Sequence, residues 1–486
     1  MVAGNLARKM NTTPEPKVHI SESPVKWCSV SLSDMVSRGK RLEAGSFDIE
    51  AKAAEKAIID CKYGCVKLIG GIAERAFHAP RFKRSYVTKT HPDSVGFLGS
   101  SEMLDIKPVP VKFITKEQAQ ALNLFAKPGD VLLSCSGTIG NIGFVSRTLS
   151  SFALSQHIIK IECSSYSGYL YACLKHPYIQ AQLQALIYGA VIPEIEPEHL
   201  NNVLIPDAPA RLKQRISSLV EQSYILRDES NELIDRATDL MVAELHLPAI
   251  HDFQKLSVPV STFDVKLSNI NLRLDASYHV PAVDVIVAHL KESAAEVTTV
   301  GDSRISRSVI LPGRFKRVYV EEGYGRIFIG GKQLGELDPS NKKYLSNVHH
   351  GNRIAQQLEL KENMTLITCS GTIGRVALVG KHWDGWTANQ HIIRVVPANK
   401  DIAGYLYIFL ASDYGRTLIT RYTYGSVVDE IDDDHVRQIP IPLLRNQDAQ
   451  QQINSLALGS NAKRYEAYKL EQEALRIMNE EVIFAK

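Results

Sequence analysis

Residues 135–140 read Cys-Ser-Gly-Thr-Ile-Gly, and residues 369–374 read the same six. The two copies begin 234 positions apart in a chain of 486 residues, close to half its length. Other clusters recur in the same order at nearly the same offset. Arg81-Phe82-Lys83-Arg84-x-Tyr86-Val87 returns as Arg314-Phe315-Lys316-Arg317-x-Tyr319-Val320, and Gln156-His157-Ile158-Ile159 as Gln390-His391-Ile392-Ile393. Gly168-Tyr169-Leu170-Tyr171 returns as Gly404-Tyr405-Leu406-Tyr407, and Tyr188-Gly189 with Glu194-Ile195 as Tyr424-Gly425 with Glu430-Ile431. The chain is therefore two copies of one domain, which implies pseudo-twofold symmetry. Such symmetry suits a partner that is itself twofold, and duplex DNA is the commonest.

Around the repeated hexapeptide the reading is local. Asp130–Ser134 and Asn141–Val145 read as two strands, and residues 365–368 and 376–379 repeat the pair. The glycines between them supply the positive-φ positions that a tight connection needs. A phosphate cradle would need a helix after the glycines. Strand-like residues follow instead, so the motif reads as a structural hairpin.

Composition bounds the rest. The length suits two to four domains, and 44% hydrophobic with 22% charged residues is ordinary for a soluble globular protein. No run approaches the roughly 18 apolar residues of a membrane helix, and the polar start has no apolar core of a signal peptide. The seven cysteines are odd in number and sit mostly in apolar runs, which reads as buried thiols in a reducing cytoplasm. Cys61-x-x-x-Cys65 has no second ligand pair, so no zinc is expected. A net charge of +3 leaves nucleic-acid binding open, because a basic face can hide in a nearly neutral total.

After each module a 4-3 spacing appears. Leu212, Ile216, Leu219, Ser223, Leu226, Ser230, Leu233, Ala237 and Leu240 form a seam about four heptads long. A shift of 237 gives Ala449, Ile453, Leu456, Ser460, Lys463, Ala467, Leu470, Ala474 and Ile477, with Lys463 the awkward member. Each helix of about 36 residues would span ~54 Å. Two such helices from twofold-related modules would pair antiparallel. The expected order is a flexible tail 1–26, module one 27–210, helix one 211–246, a connector 247–272, module two 273–445 and helix two 446–486. The fold class is mixed α/β (α+β): two pseudo-twofold-related β-rich domains separated by two long antiparallel coiled-coil helices.

The candidate sites each have a plainer reading. His157 and His391 sit in apolar strands, where a histidine is usually a hydrogen-bonded packing residue. The acids Glu194, Glu196, Glu198 and Glu430, Asp432, Asp433, Asp434 could pair on a metal, yet Glu196-Pro197 and Asp432-Asp433 look like helix N-caps. Basic clusters carry more. On a strand, Arg81 and Lys83 would share one face and Phe82 and Arg84 the other. Exposed Arg81, Lys83, Arg84, Arg314, Lys316 and Arg317 could hold phosphates while the aromatics anchor the segment, or could form an idle charged hairpin. Lys332 and Gln333 follow two glycines and have donors for base edges, whereas the equivalent Ser101 and Glu102 differ, as two different half-sites would require.

Taken together, these features resemble the specificity subunit of type I restriction-modification systems. The matching elements are Arg41–Ala44 and Arg273–Ala276, the doubled hairpins, the Gln-His-Ile-Ile strands and the endings Val203–Pro206 and Ile439–Pro442, each module being followed by a long helix. The resemblance implies two target recognition domains, each reading one half of a bipartite, asymmetric site on double-stranded DNA. It also implies that two methyltransferase subunits dock on the helices, whose seam here offers Leu212, Ile216, Leu219, Leu226, Leu233, Leu240, Ile453, Leu456, Leu470 and Ile477. Those partners would methylate adenine N6 from S-adenosylmethionine. Motor and nuclease subunits, when present, would cleave unmodified DNA with ATP and Mg.

This chain has no Asn-Pro-Pro-Phe type motif, no G-x-G-x-x-G and no G-x-x-x-x-G-K-[ST]. It reads as non-catalytic, binds no cofactor or metal of its own, has no membrane partner and resides in the cytoplasm. An orphan methylation complex without a nuclease is the alternative within this class. A metal-dependent nuclease and a coiled-coil protein scaffold are the alternatives outside it.

Overall fold

The computed structural model describes residues 29–37, 43–189, 192–250, 263–270 and 273–485. The expected tail 1–26 lies outside these residues, as do Arg41 and residues 251–262 of the expected connector. Two compact units divide the chain: residues up to Ile225 together with the stretch from Lys469 onward, and Leu226–Tyr468.

The first unit is built on a four-stranded antiparallel sheet in the order Arg75–Phe77, Ile158–Glu162, Val131–Ser134, Ile142–Phe144. The second unit repeats it as Ser306–Ile310, Ile392–Pro397, Thr365–Thr368, Val376–Leu378. Val131–Ser134 and Thr365–Thr368 are buried at every position, which is why they are near-continuous apolar runs without alternation. Even the cation inside the neighbouring strand is enclosed. Lys160 Nζ donates to the carbonyls of Asn123 and Phe125, and its counterpart Arg394 donates to those of Asn389, Ile392, Leu358 and Ala388.

A second sheet follows in each unit. It joins Phe113–Thr115, Ser94–Leu98 and Ala153–Leu154 in the first. In the second it joins Tyr319–Val320, Lys343–Ser346, Gly325–Ile329 and Thr387–Ala388, and in both units the last pairing is parallel. A two-strand ribbon completes each module, Cys65–Lys67 with Leu204–Pro206 and Glu296–Thr299 with Pro440–Leu443.

The strand expected over 81–87 is not one. That segment is extended but unladdered, apart from a bridge between Val87 and Phe113. Alternation survives for another reason. Phe82 and Arg84 turn inward onto the ring of Phe97, and Arg81 and Lys83 remain exposed.

Long helices follow the modules, Ala210–Glu244 and Gln447–Ile477. Within the second unit Glu229 meets Lys463 at 2.5 Å, Arg464 Nε donates to Ser230 Oγ at 3.2 Å, and Asn446 donates to Glu244. Partner numbers fall in one helix as they rise in the other, so the segments run antiparallel. In the first unit Arg215 pairs with Glu481 at 3.2 Å. Lys463, awkward in an apolar seam, is thus an ion-pair member.

The buried stripe differs from the expected seam at most alternate positions, although Ala449 and Ile477 of that seam are buried as expected. It runs Ile216, Val220, Ser223, Arg227, Ser230, Ile234, Ala237, Met241 in one helix. In the other it runs Ile453, Ala457, Ser460, Arg464, Ala467, Glu471, Ala474, Met478, at a constant shift of 237. Leu212, Leu219, Leu226, Leu233, Leu240, Leu456 and Leu470 are half-buried beside it. The cause is that each helix serves two neighbours. Leu212 and Leu219 pack on the core of the first module, Leu240 and Leu456 on that of the second, and a Cβ on Gly459 would meet Leu233 at 3.7 Å.

The repeated Gly-Tyr-Leu-Tyr is the clamp between module and helix. A Cβ on Gly168 would lie 2.6 Å from the Ser217 carbonyl oxygen, and one on Gly404 2.4 Å from that of Asn454. Only glycine admits that approach. Next to it, Tyr169 Oη donates to the Pro206 carbonyl at 2.7 Å and Tyr405 Oη to that of Pro442 at 2.6 Å. The two Ile-Pro endings recur because each presents that carbonyl.

Candidate nucleic-acid interface

Each hexapeptide closes a hairpin whose loop is braced by a hydroxyl. Ser134 Oγ donates to the Thr138 carbonyl at 2.6 Å and accepts from Asn141 N–H at 2.9 Å. Thr368 does the same with Thr372 and Arg375, at 2.5 and 2.9 Å. Gly137 and Gly140 have φ of 77° and 93°, and Gly371 and Gly374 75° and 82°, the left-handed region that L side chains disfavour. Cys135 N–H donates to the His157 carbonyl, and its own carbonyl accepts from Ile195 N–H. Cys369, His391 and Ile431 repeat both bonds. Both histidines lie in the turn before the strand rather than in it, and the hairpin, this Gln-His turn and the Glu-Ile segment are thereby fastened together in each unit. Burial pushes the thiols of Cys135 and Cys369 up to about 12, far from the range of a nucleophile.

Onto that frame comes the basic segment. Arg84 Nη2 donates to Gln156 Oε1 at 3.0 Å, and Gln156 Nε2 approaches His157 Nε2 at 3.2 Å. Arg317, Gln390 and His391 repeat the relay at 2.8 and 3.0 Å. Burial first, then the neighbouring arginine, lowers the pKa of both histidines, so they are held neutral as packing residues. Phe82 meets Phe97 edge-on at 6.3 Å, and Phe315 meets Phe328 at 6.4 Å. The guanidiniums of Arg84 and Arg317 lie 5.5 and 5.6 Å over those same rings. Arg84 and Arg317 are therefore committed to the frame.

The outward cations are Arg81 with Lys83 and Arg314 with Lys316. Arg81 meets Glu194 at 3.1 Å and Arg314 meets Glu430 at 3.2 Å, each arginine side chain being 80–81% exposed. Spacing alone did not reveal that pairing, because the partners lie 113 and 116 residues apart. It also missed Lys112 and Lys343. These exposed lysines lie over Tyr86 and Tyr319, each at 5.5 Å, and add a third cation to each frame.

Of the remaining acids Glu198 is exposed, and the others have structural partners. Glu196 binds His78 at 2.8 Å and Tyr188 at 2.6 Å, Asp432 caps the helix Asp433–Arg437 through His435 N–H, and Asp433 and Asp434 hold Arg437. Among the described residues no group of three His, Cys, Asp or Glu side chains is placed to hold a metal ion.

Lys332 is exposed on the 3-10 turn Gly331–Gln333, whereas Gln333 Oε1 accepts from Gly330 N–H at 2.9 Å. Glu102 Oε2 does the same for Gly99 N–H at 3.0 Å. Gln333 and Glu102 thus share a capping role, which explains an acceptor at both positions without reference to bases.

No helix among the described residues is long and apolar enough to cross a membrane. The family model for the type I restriction modification DNA specificity domain matches residues 334–456. No curated protein sequence matches the chain. Among solved structures, the type I restriction-modification S subunit from M. genitalium is 13% identical, with 86% of this chain and 97% of that one covered and a TM-score of 0.30. The HsdS subunit from Thermoanaerobacter tengcongensis is 17% identical, with 85% and 95% covered and a TM-score of 0.26. The domain match falls on the hairpin, strand and helix just described for the second unit, and the first unit repeats them. It is over residues 334–456, where the model of the type I restriction modification DNA specificity domain matches, that the chain is similar to the specificity subunits of type I restriction-modification systems.

Proposed function

We propose that each module reads one half of a bipartite, asymmetric site on double-stranded DNA, and that the long helices dock two adenine-N6 methyltransferase subunits. One observation carries this reading. Repeated motifs far apart in sequence build, in each unit separately, one aromatic frame that carries exposed cations: Arg81 and Lys83 flank Phe82 and Lys112 lies over Tyr86, or Arg314 and Lys316 flank Phe315 and Lys343 lies over Tyr319. Such cations suit phosphates, which are the same in every sequence. The chain itself supplies no chemistry in this reading. S-adenosylmethionine, ATP and Mg belong to partner subunits, and a motor and nuclease pair completes the complex where the system restricts.

Mapping N6-methyladenine in a genome, with and without this chain beside its methyltransferase, tests the proposal. Chain-dependent methylation at a split motif is expected. Metal-dependent cleavage by the purified chain alone would favour a nuclease instead. Absence of salt-dependent duplex binding by the complex would favour a protein scaffold.

A further inference from the structure

The two modules share their basic and aromatic frame residue for residue, and identical residues cannot distinguish two different half-sites. Discrimination has to come from positions fixed on the shared frame whose outward side chains differ. The turn with Lys332 or Ser101 meets both conditions with one differing outward side chain, and a short helix meets them with several. The strand carrying Lys343 runs into the helix Asn347–Arg353, and the strand that follows Lys112 runs into the helix Lys116–Ala121. Both helices are capped alike: Thr115 Oγ1 accepts from Gln118 N–H at 3.2 Å, and Ser346 Oγ from His349 N–H at 3.3 Å.

Both are also tied to the backbone of the basic segment. Gln118 Nε2 donates to the Lys83 carbonyl at 3.2 Å. Val318 N–H donates to His350 Nε2 at 3.1 Å, and the Arg353 guanidinium lies 5.0 Å over Phe315. The inward positions are thus spent on the frame. Outward, the first helix exposes Lys116, Glu117 and Gln120, and the second exposes Asn347, Val348 and Asn352 together with His349, whose Nδ1 lies 3.0 Å from Ser346 Oγ. Val348 is 89% exposed.

Resting on the reading of the chain as a DNA-recognition subunit, we propose that this short helix is the base-reading element of each module. A helix fits the major groove, where asparagine amides match the adenine edge and an apolar group the thymine methyl. The helix with Asn347, Val348 and Asn352 therefore reads at least one A·T pair. Glutamate accepts from cytosine N4 and lysine donates to guanine, so the helix with Lys116 and Glu117 reads at least one G·C pair.

The test is methyladenine mapping in cells carrying the full chain with its methyltransferase, comparing wild type with Asn352→Ala, Val348→Ala and Glu117→Gln. All three sites are exposed, and an unchanged melting transition of the purified variants checks the fold. The expected result is a motif relaxed at one or two positions in one half only, with discrimination there falling roughly 5- to 150-fold. Asn352 and Val348 should affect one half, and Glu117 the other. An unchanged motif, or uniformly weaker methylation of an unchanged motif, would overturn the assignment of the reading helix. No chain-dependent methylation by the wild type would instead overturn the function on which it rests.

Discussion

Removing Arg314 and Lys316 together, each by alanine, isolates the phosphate-holding role of the second module. Both side chains are exposed, and neither takes part in the Arg317–Gln390–His391 relay, so the frame survives their loss. Each phosphate neutralised on B-DNA contributes about 0.9 to the slope of log K against log salt, so the pair contributes about 1.8. Extrapolated from 1 M salt, that slope is worth about 60-fold in affinity at 0.1 M and about 5-fold at 0.4 M. Arg314 must first leave Glu430, 3.2 Å away. An exposed ion pair of this kind is worth about 0–1 kcal/mol, which reduces the loss at 0.1 M to about 10- to 60-fold. Fluorescence anisotropy of a labelled duplex, titrated with the chain–methyltransferase complex from 50 to 400 mM salt, measures both quantities. The loss should be equal for specific and random duplexes. An unchanged salt slope, or a loss confined to one base position, would refute the phosphate assignment.

Gly404→Ala places a Cβ 2.4 Å from the Asn454 carbonyl oxygen and crowds the 2.7 Å bond from Gly404 N–H to Asn454 Oδ1. Overpacking of about 1–3 kcal/mol plus about 1 kcal/mol for the strained hydrogen bond destabilises the second unit by about 2–4 kcal/mol. Calorimetry should show the transition of that unit lowered, and an unaltered melting profile would contradict the clamp. Acid sensitivity is expected from His176 and His382, whose burial pushes each pKa down to about 4. Between about pH 4 and 6.5 the unfolded chain binds protons that the folded chain refuses, so stability falls as pH drops through that window. The loss reaches about 3 kcal/mol per histidine. His382→Gln should flatten the fall between pH 7 and 4.5 in thermal melts, and a slope as steep as that of the wild type would remove His382 as its source.

The sequence made the hairpins plain because their glycines mark positive φ between two apolar runs, and because the pattern occurs twice. It disclosed that Gly-Tyr-Leu-Tyr matters but not why, since the contact that demands glycine is with Ser217 or Asn454, some fifty residues away. Alternation at 81–84 was read as a strand, although stacking on Phe97 produces the same inside-outside pattern without a ladder. The 4-3 repeat located both long helices yet misplaced most alternate members of the buried stripe, Ala449 and Ile477 excepted. A helix that faces a module as well as another helix buries Val220 and Ile234 in preference to Leu219 and Leu233. The short helix Asn347–Arg353 gave no signal, because seven residues with a glycine and two histidines have no apolar period to detect.

Exchange of residues 43–206 for the equivalent stretch of a relative with another target, keeping both long helices, tests the separate reading of two half-sites most directly. Methyladenine mapping of cells carrying the hybrid with the methyltransferase should return a motif with one half replaced and the other half identical. A motif altered in both halves would contradict it.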